Sequence, residues 1–130
     1  MAWRVIIAAG GTGGHVFPAL AIGEEIRAQK PETEILFIGT NRGLEERVIP
    51  AAGFRLKTIV MSGVQRSLHP RDVLRNLVMP FKVLFGLLQS ITVMWTFRPH
   101  AVIGCGGYVT GPIVLLAALL GKKIILQEQN

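Results

Sequence analysis

Apolar residues in this chain form short unbroken runs, separated by longer stretches in which they recur at helical spacing. The clearest run is Val5-Ile6-Ile7-Ala8-Ala9. Strands are predicted near Trp3–Ala9, Glu34–Ile38, Arg55–Ile59, Ala101–Ile103 and Lys123–Leu126, and helices over Pro18–Gln29, Leu44–Ala52, Arg71–Phe97 and Pro112–Leu120. Pro80 is expected to break the third helical region and start a second helix after a bend. The strand runs are apolar without alternation, the pattern of a parallel sheet covered on both faces. Strictly alternating strands and helices then predict an α/β fold with a doubly wound, Rossmann-like sheet, as one domain over residues 1–130.

Two glycine-rich segments interrupt this regular alternation, each directly after an apolar strand. The first is Gly10-Gly11-Thr12-Gly13-Gly14-His15-Val16-Phe17-Pro18, and the second is Gly104-Cys105-Gly106-Gly107-Tyr108-Val109-Thr110-Gly111-Pro112. Gly11 to Val16 align with Gly104 to Val109, so that His15 corresponds to Tyr108. A glycine turn between a buried strand and a helix exposes backbone N–H groups at the positive end of the helix dipole, which is an anion site. The amides of Gly13, Gly14, Gly106 and Gly107 are the candidates to hold a diphosphate, with Tyr108 beside them. A single such loop also arises from tight packing alone. Two at strand C-termini point to a ligand, because open α/β sheets bind ligands there. A dinucleotide fingerprint would need glycine where Val16 stands and an acid where Gly39-Thr40-Asn41 stand, and a Walker loop would need a lysine that is missing. NAD and ATP are disfavoured, and no cofactor or metal is expected.

Composition changes the picture in two places. With 130 residues, half of them hydrophobic, the chain can build its own core but is small for a complete two-substrate enzyme. A single cysteine, Cys105, excludes a disulfide framework and reads as a small loop residue rather than a nucleophile. The chain enters a strand pattern at once, so no signal peptide is read at its start. Its net charge of +6 is unevenly spread: Arg55 to Lys123 hold nine basic residues and one acid, Asp72. Nucleic acid is not the expected partner, because the centre of this basic half is its most apolar part. From Asn76 to Phe97 the only charge is Lys82. Pro80, Gln89, Ser90 and the threonines argue against insertion across a bilayer, yet the apolar face is too broad for the sheet alone. Leu77, Phe81, Lys82, Phe85 and Leu88, bordered by Arg66, Arg71 and Arg75, are therefore expected to contact an anionic membrane surface.

The GGTGGHVFPAL run, the GCGGYVTGP run and the terminal Gln127-Glu128-Gln129-Asn130 closely resemble the N-terminal domain of the MurG family of bacterial peptidoglycan glycosyltransferases. The resemblance covers the whole chain in order and spacing. Thr110 stands where that family often has serine, and Gln127 where histidine often precedes the glutamate. The resemblance implies the N-terminal half of a GT-B glycosyltransferase. Its reaction would be inverting transfer of GlcNAc from UDP-GlcNAc to lipid I, the undecaprenyl-diphosphate-linked acceptor, at the cytoplasmic face of the inner membrane. It also implies a second domain, outside these residues, that supplies most of the donor site. Contacts to UDP-GlcNAc from Thr12, Gly13, Gly14 and Asn130 are implied in the same way.

Inverting transfer requires a base at the acceptor hydroxyl. An imidazole, with an unperturbed pKa of about 6.5, suits that task near neutrality. His15 is one candidate base and Glu128 the other, unless His15 only binds ligand or Glu128 only orients a partner. Two other readings remain: a non-catalytic, membrane-recruiting binding module that needs a separate nucleotide-binding chain, and a sugar-nucleotide epimerase-like enzyme.

Overall fold

The computed structural model describes residues 2–41, 43–60 and 70–127. Five strands and four helices alternate: β1 Arg4–Ala8, α1 Gly13–Gln29, β2 Glu34–Thr40, α2 Glu45–Ala51, β3 Arg55–Ile59, α3 Pro70–Phe97, β4 Ala101–Gly104, α4 Thr110–Leu119 and β5 Lys123–Leu126. The strands form one parallel sheet in the order β3-β2-β1-β4-β5. This is the expected doubly wound fold. The apolar runs are unalternating because both faces are covered. Val5, Ile7 and Ala9 pack towards Val16, Ala19 and Ile49, whereas Ile6 and Ala8 pack towards Val93, Met94, Val109 and Ile113. Each side chain from Val5 to Ala8 thus reaches a hydrophobic layer whichever way it points.

Chain direction across the sheet reverses at β1. From there β2 and β3 extend one way and β4 and β5 the other. The crevice at the C-terminal ends of β1 and β4 is the topological switch point, where ligands of such sheets bind.

Two helix boundaries differ from expectation. α1 begins at Gly13, with Thr12 as its extended N-cap, so Pro18 lies inside the helix rather than opening it. Gly10 and Gly11 suffice for the turn, and Pro18 leaves the carbonyl of the exposed residue Gly14 without its usual i+4 donor. α3 is one helix from Pro70 to Phe97, and Pro80 lies inside it without the expected break. Pro112 does fall in the first turn of α4.

α3 is much longer than the sheet is deep. Its 28 residues extend about 42 Å at 1.5 Å per residue, against about 17 Å for the five of β1. Two contacts fix its level. Gln89 Oε1 accepts the N–H of Val60, just past the C-terminal end of β3. At the other end Arg4 Nε donates to the carbonyls of Phe97 and Arg98. Residues 70–88 therefore run about 28 Å further from Gln89, towards the end of the sheet that carries the glycine loops. The buried positions in this stretch are Gly86, Ser90, Val93 and Met94, of which Val93 and Met94 join the hydrophobic layer on that face of the sheet, while the large apolar side chains lie outside.

Candidate functional site

The two glycine loops meet at the switch point. Gly10 N–H donates to the Gly106 carbonyl at 3.3 Å, and Cys105 N–H donates to the Ala8 carbonyl at 2.8 Å. Gly107, at φ +92°, lies so close to the first loop that a Cβ there would be 2.5 Å from the Gly10 carbonyl oxygen. Thr110 clasps the second loop: its Oγ1 accepts from Gly106 N–H at 3.1 Å and lies within donating distance of the Gly106 and Ala8 carbonyls.

His15 sits in the first turn of α1, half-buried between the loops. Its Nδ1 lies 3.3 Å from the Gly10 carbonyl oxygen and 3.4 Å from Thr12 Oγ1. Its ring lies against Gly106, where a Cβ would come within 2.8 Å of Nε2. A carbonyl can only accept, so the Gly10 contact calls for a proton on Nδ1 and leaves Nε2 as the free nitrogen.

The amides expected to bind diphosphate divide in two. Those of Gly13 and Gly14 open α1, which has no side-chain cap and no acid in its own first turn, so these two amides are left for a ligand. Gly107 likewise makes no backbone N–H contact with the described residues. Gly106 contributes differently, since its N–H is taken by Thr110 and its carbonyl by Gly10. Tyr108 is 64 % exposed and free to reach a ligand. Glu128 and Asn130 lie outside the described residues, as does Arg66.

Sequence reasoning missed Glu45. It is the first residue of α2 and only 1 % exposed. One carboxylate oxygen accepts from Thr40 N–H at 2.7 Å and Thr40 Oγ1 at 2.8 Å, and the other from Gly11 N–H at 3.2 Å. Gly10, Gly39 and Gly43 surround it, and a Cβ on any of them would collide with its side chain. The available signal was Gly39 and Gly43, two glycines shortly before the start of α2. A ribose-binding acid belongs at the end of β2, so Glu45, beyond it on α2, falls outside that pattern. Cys105 is buried at the end of β4, and desolvation pushes its thiol up from 9.0 to about 11, which makes it a poor nucleophile. Among the described residues no group of three or more His, Cys, Asp or Glu could hold a metal ion.

Comparison with known proteins gives this geometry a family. Residues 5–130 match the model of the glycosyltransferase family 28 N-terminal domain. The chain belongs to that family. The family 28 domain here is 47 % identical over 127 residues to a UDP-N-acetylglucosamine--N-acetylmuramyl-(pentapeptide) pyrophosphoryl-undecaprenol N-acetylglucosamine transferase from Desulforudis audaxviator. That match covers 98 % of this chain and 33 % of the relative. Relatives of the same name from Moorella thermoacetica and Syntrophus aciditrophicus are 49 % and 45 % identical, over 98 % and 100 % of this chain and 33 % and 35 % of their own lengths. Among solved structures, Acinetobacter baumannii MurG superimposes with a TM-score of 0.81 at 36 % identity, covering 98 % of this chain and 36 % of that one. The calicheamicin glycosyltransferase shares the fold at TM-score 0.65 and 20 % identity, covering 97 % of this chain and 32 % of its own. The resemblance carried by the three motifs is thus borne out. The chain spans about a third of the length of the curated relatives it matches.

The apolar face of α3 stands at the same end as this family 28 site. Leu77, Phe81, Phe85 and Leu88 are all exposed, Phe81 at 71 %, with Lys82 half-buried and Arg71 and Arg75 exposed. By length and composition alone, Val73–Phe97 is long and apolar enough to cross a membrane.

Proposed function

We propose that this chain forms the acceptor- and membrane-binding part of an inverting N-acetylglucosaminyltransferase that uses UDP-GlcNAc and lipid I to make lipid II for the cell wall. The observation that carries the reading is the meeting of two glycine loops at the switch point with the His15 imidazole held between them. The open amides of Gly13, Gly14 and Gly107 would accept the diphosphate of the lipid-linked acceptor, with Tyr108 beside it. Thr12, Gly13, Gly14 and Asn130 would face the donor, whose larger site lies in the part of the relatives that these residues do not span.

His15 Nε2 is the base in this reading, and Glu128 is the rival. Nε2 takes the proton of the acceptor 4-hydroxyl as that oxygen attacks the anomeric carbon of GlcNAc. The bond from that carbon to the diphosphate breaks with inversion, and UDP departs with the electron pair. The exposed face of α3 lies on the cytoplasmic leaflet as a peripheral contact, with Arg71, Arg75 and Lys82 near anionic headgroups. Its position at the glycine-loop end of the sheet brings the site to the depth of a lipid-linked acceptor.

A chimera tests this reading: residues 1–130 replace the matching third of the Syntrophus aciditrophicus relative. Turnover of UDP-GlcNAc with a lipid I analogue is expected, with a loss of roughly 10²–10⁴ in kcat on His15→Ala. A loss below about tenfold would remove His15 from the base role. A folded chimera with no lipid I-dependent turnover would overturn the reading itself.

A further inference from the structure

The contacts around the first glycine loop share one peptide group. The Gly10 carbonyl, which faces His15 Nδ1 at 3.3 Å, and the Gly11 N–H, which donates to Glu45 at 3.2 Å, are the two ends of the same peptide plane. The sequence Glu45 carboxylate, Gly10–Gly11 peptide, His15 imidazole is therefore a continuous line of hydrogen bonds. We propose that Glu45 acts through the Gly10–Gly11 peptide to hold His15 in the tautomer protonated on Nδ1, leaving Nε2 unprotonated at the mouth of the site.

Glu45 would be a positioning residue, since it touches the peptide and not the ligand. A peptide between two glycines has almost no side-chain barrier to flipping. In the observed orientation its N–H meets an acceptor-only carboxylate. In the flipped orientation the Gly10 carbonyl would meet that carboxylate, oxygen against oxygen, in a buried site. Glu45 thereby fixes which end of the peptide His15 sees. The carbonyl it presents can only accept, which requires Nδ1–H. Polarisation by the carboxylate also strengthens the carbonyl as an acceptor. A second restraint acts on the same loop, since Gly10 N–H is anchored to the Gly106 carbonyl. Thr12 Oγ1 is the competing partner of Nδ1 at 3.4 Å, but a hydroxyl can donate or accept and so selects neither tautomer.

The substitution Glu45→Gln reverses the logic. The amide carbonyl it introduces can still accept from Thr40, but the amide NH₂ then faces the Gly11 N–H, donor against donor. Flipping the peptide relieves that clash. It also turns an N–H towards His15 Nδ1, which then becomes the acceptor and moves the proton to Nε2. This step rests on the proposed function only in giving Nε2 a task. The tautomer itself is read without any turnover.

The experiment is long-range ¹H–¹⁵N correlation spectroscopy of the imidazoles in the ¹⁵N-labelled chain, at a pH where His15 is neutral. His15 in the unsubstituted chain is expected to show Nδ1–H and a bare Nε2, and Nε2–H there would overturn the proposal without any variant. Glu45→Gln is expected to move the population to Nε2–H, whereas Thr12→Val should leave it at Nδ1–H. An unchanged tautomer in a folded Glu45→Gln chain, or a switch caused by Thr12→Val, would also overturn it. In the chimera, Glu45→Gln should lower kcat by roughly 10² or more with KM changed little, the mark of a misplaced proton rather than a lost binding contact. Failure of the chimera to turn over would count against the function, and failure of the tautomer to move would count against the relay.

Discussion

Replacing Gly107 with alanine should force the two glycine loops apart. The added methyl carbon would sit 2.5 Å from the Gly10 carbonyl oxygen and 3.1 Å from the Gly10 nitrogen. Both are backbone atoms, so no side chain can rotate away. Three costs add. A non-glycine residue in the left-handed region costs about 1–2 kcal/mol. Loss of the Gly10 N–H bond to the Gly106 carbonyl costs about 1 kcal/mol. Overpacking into fixed structure costs about 1–3 kcal/mol. Against these, alanine restricts the unfolded chain and returns about 0.4–1 kcal/mol. The net destabilisation is about 2–6 kcal/mol. Urea unfolding followed by circular dichroism, with a slope of about 2 kcal/mol per molar, should show a midpoint lower by about 1–3 M. Gly111→Ala is the control. It lies in the first turn of α4 with nothing within 4 Å of a new Cβ, and it should raise stability by up to about 1 kcal/mol through helix propensity. A Gly107→Ala midpoint within about 0.3 M of the parent would refute the close approach of the loops.

Other substitutions probe other parts of the molecule. Phe81→Ser with Phe85→Ser should weaken binding to vesicles containing anionic lipid by roughly tenfold per residue, since burying a phenylalanine is worth about 1.5–3 kcal/mol. Unchanged sedimentation with vesicles would show that this face does not meet the membrane. Cys105 should resist alkylation by iodoacetamide at about pH 8 while the chain is folded and react once it is unfolded; equal rates in both states would contradict its burial. Because burial raises the folded thiol from 9.0 to about 11, the unfolded chain ionises first. Stability should therefore fall as pH rises through that window, with no contribution from this group below it, and Cys105→Ala should flatten the alkaline limb of a pH–stability curve. Gln89→Ala removes the acceptor of Val60 N–H and should destabilise the chain by about 1–3 kcal/mol in the same urea assay.

Strands were legible because each short apolar run, such as that of β1, is bounded by glycine or polar turn residues and too short for a helix. The paired loops were legible because glycine after a buried strand has few other uses. Helix ends were harder to read. Pro18 looked like a helix start because proline favours the first turn, yet Thr12 and the Gly10–Gly11 turn already start α1 at Gly13. Pro80 looked like a break, but a helix packed through Gly86, Ser90, Val93 and Met94 absorbs one missing hydrogen bond. Glu45 stayed hidden because a charged residue at a helix start usually faces solvent. Its inward turn depends on the space that Gly39 and Gly43 leave, a tertiary property that two nearby glycines hint at but do not specify.

That shared space makes Gly10, Gly39, Gly43 and Glu45 interdependent under mutation. Any side chain on one of the glycines is incompatible with the carboxylate, and loss of the carboxylate strands the buried amide of Thr40 and frees that of Gly11. A lineage could leave this arrangement only by changing several codons at once, because each single step is costly. These four positions should therefore drift as a block and far more slowly than their loop setting implies, so that a chance substitution at one is purged before a compensating one can arise.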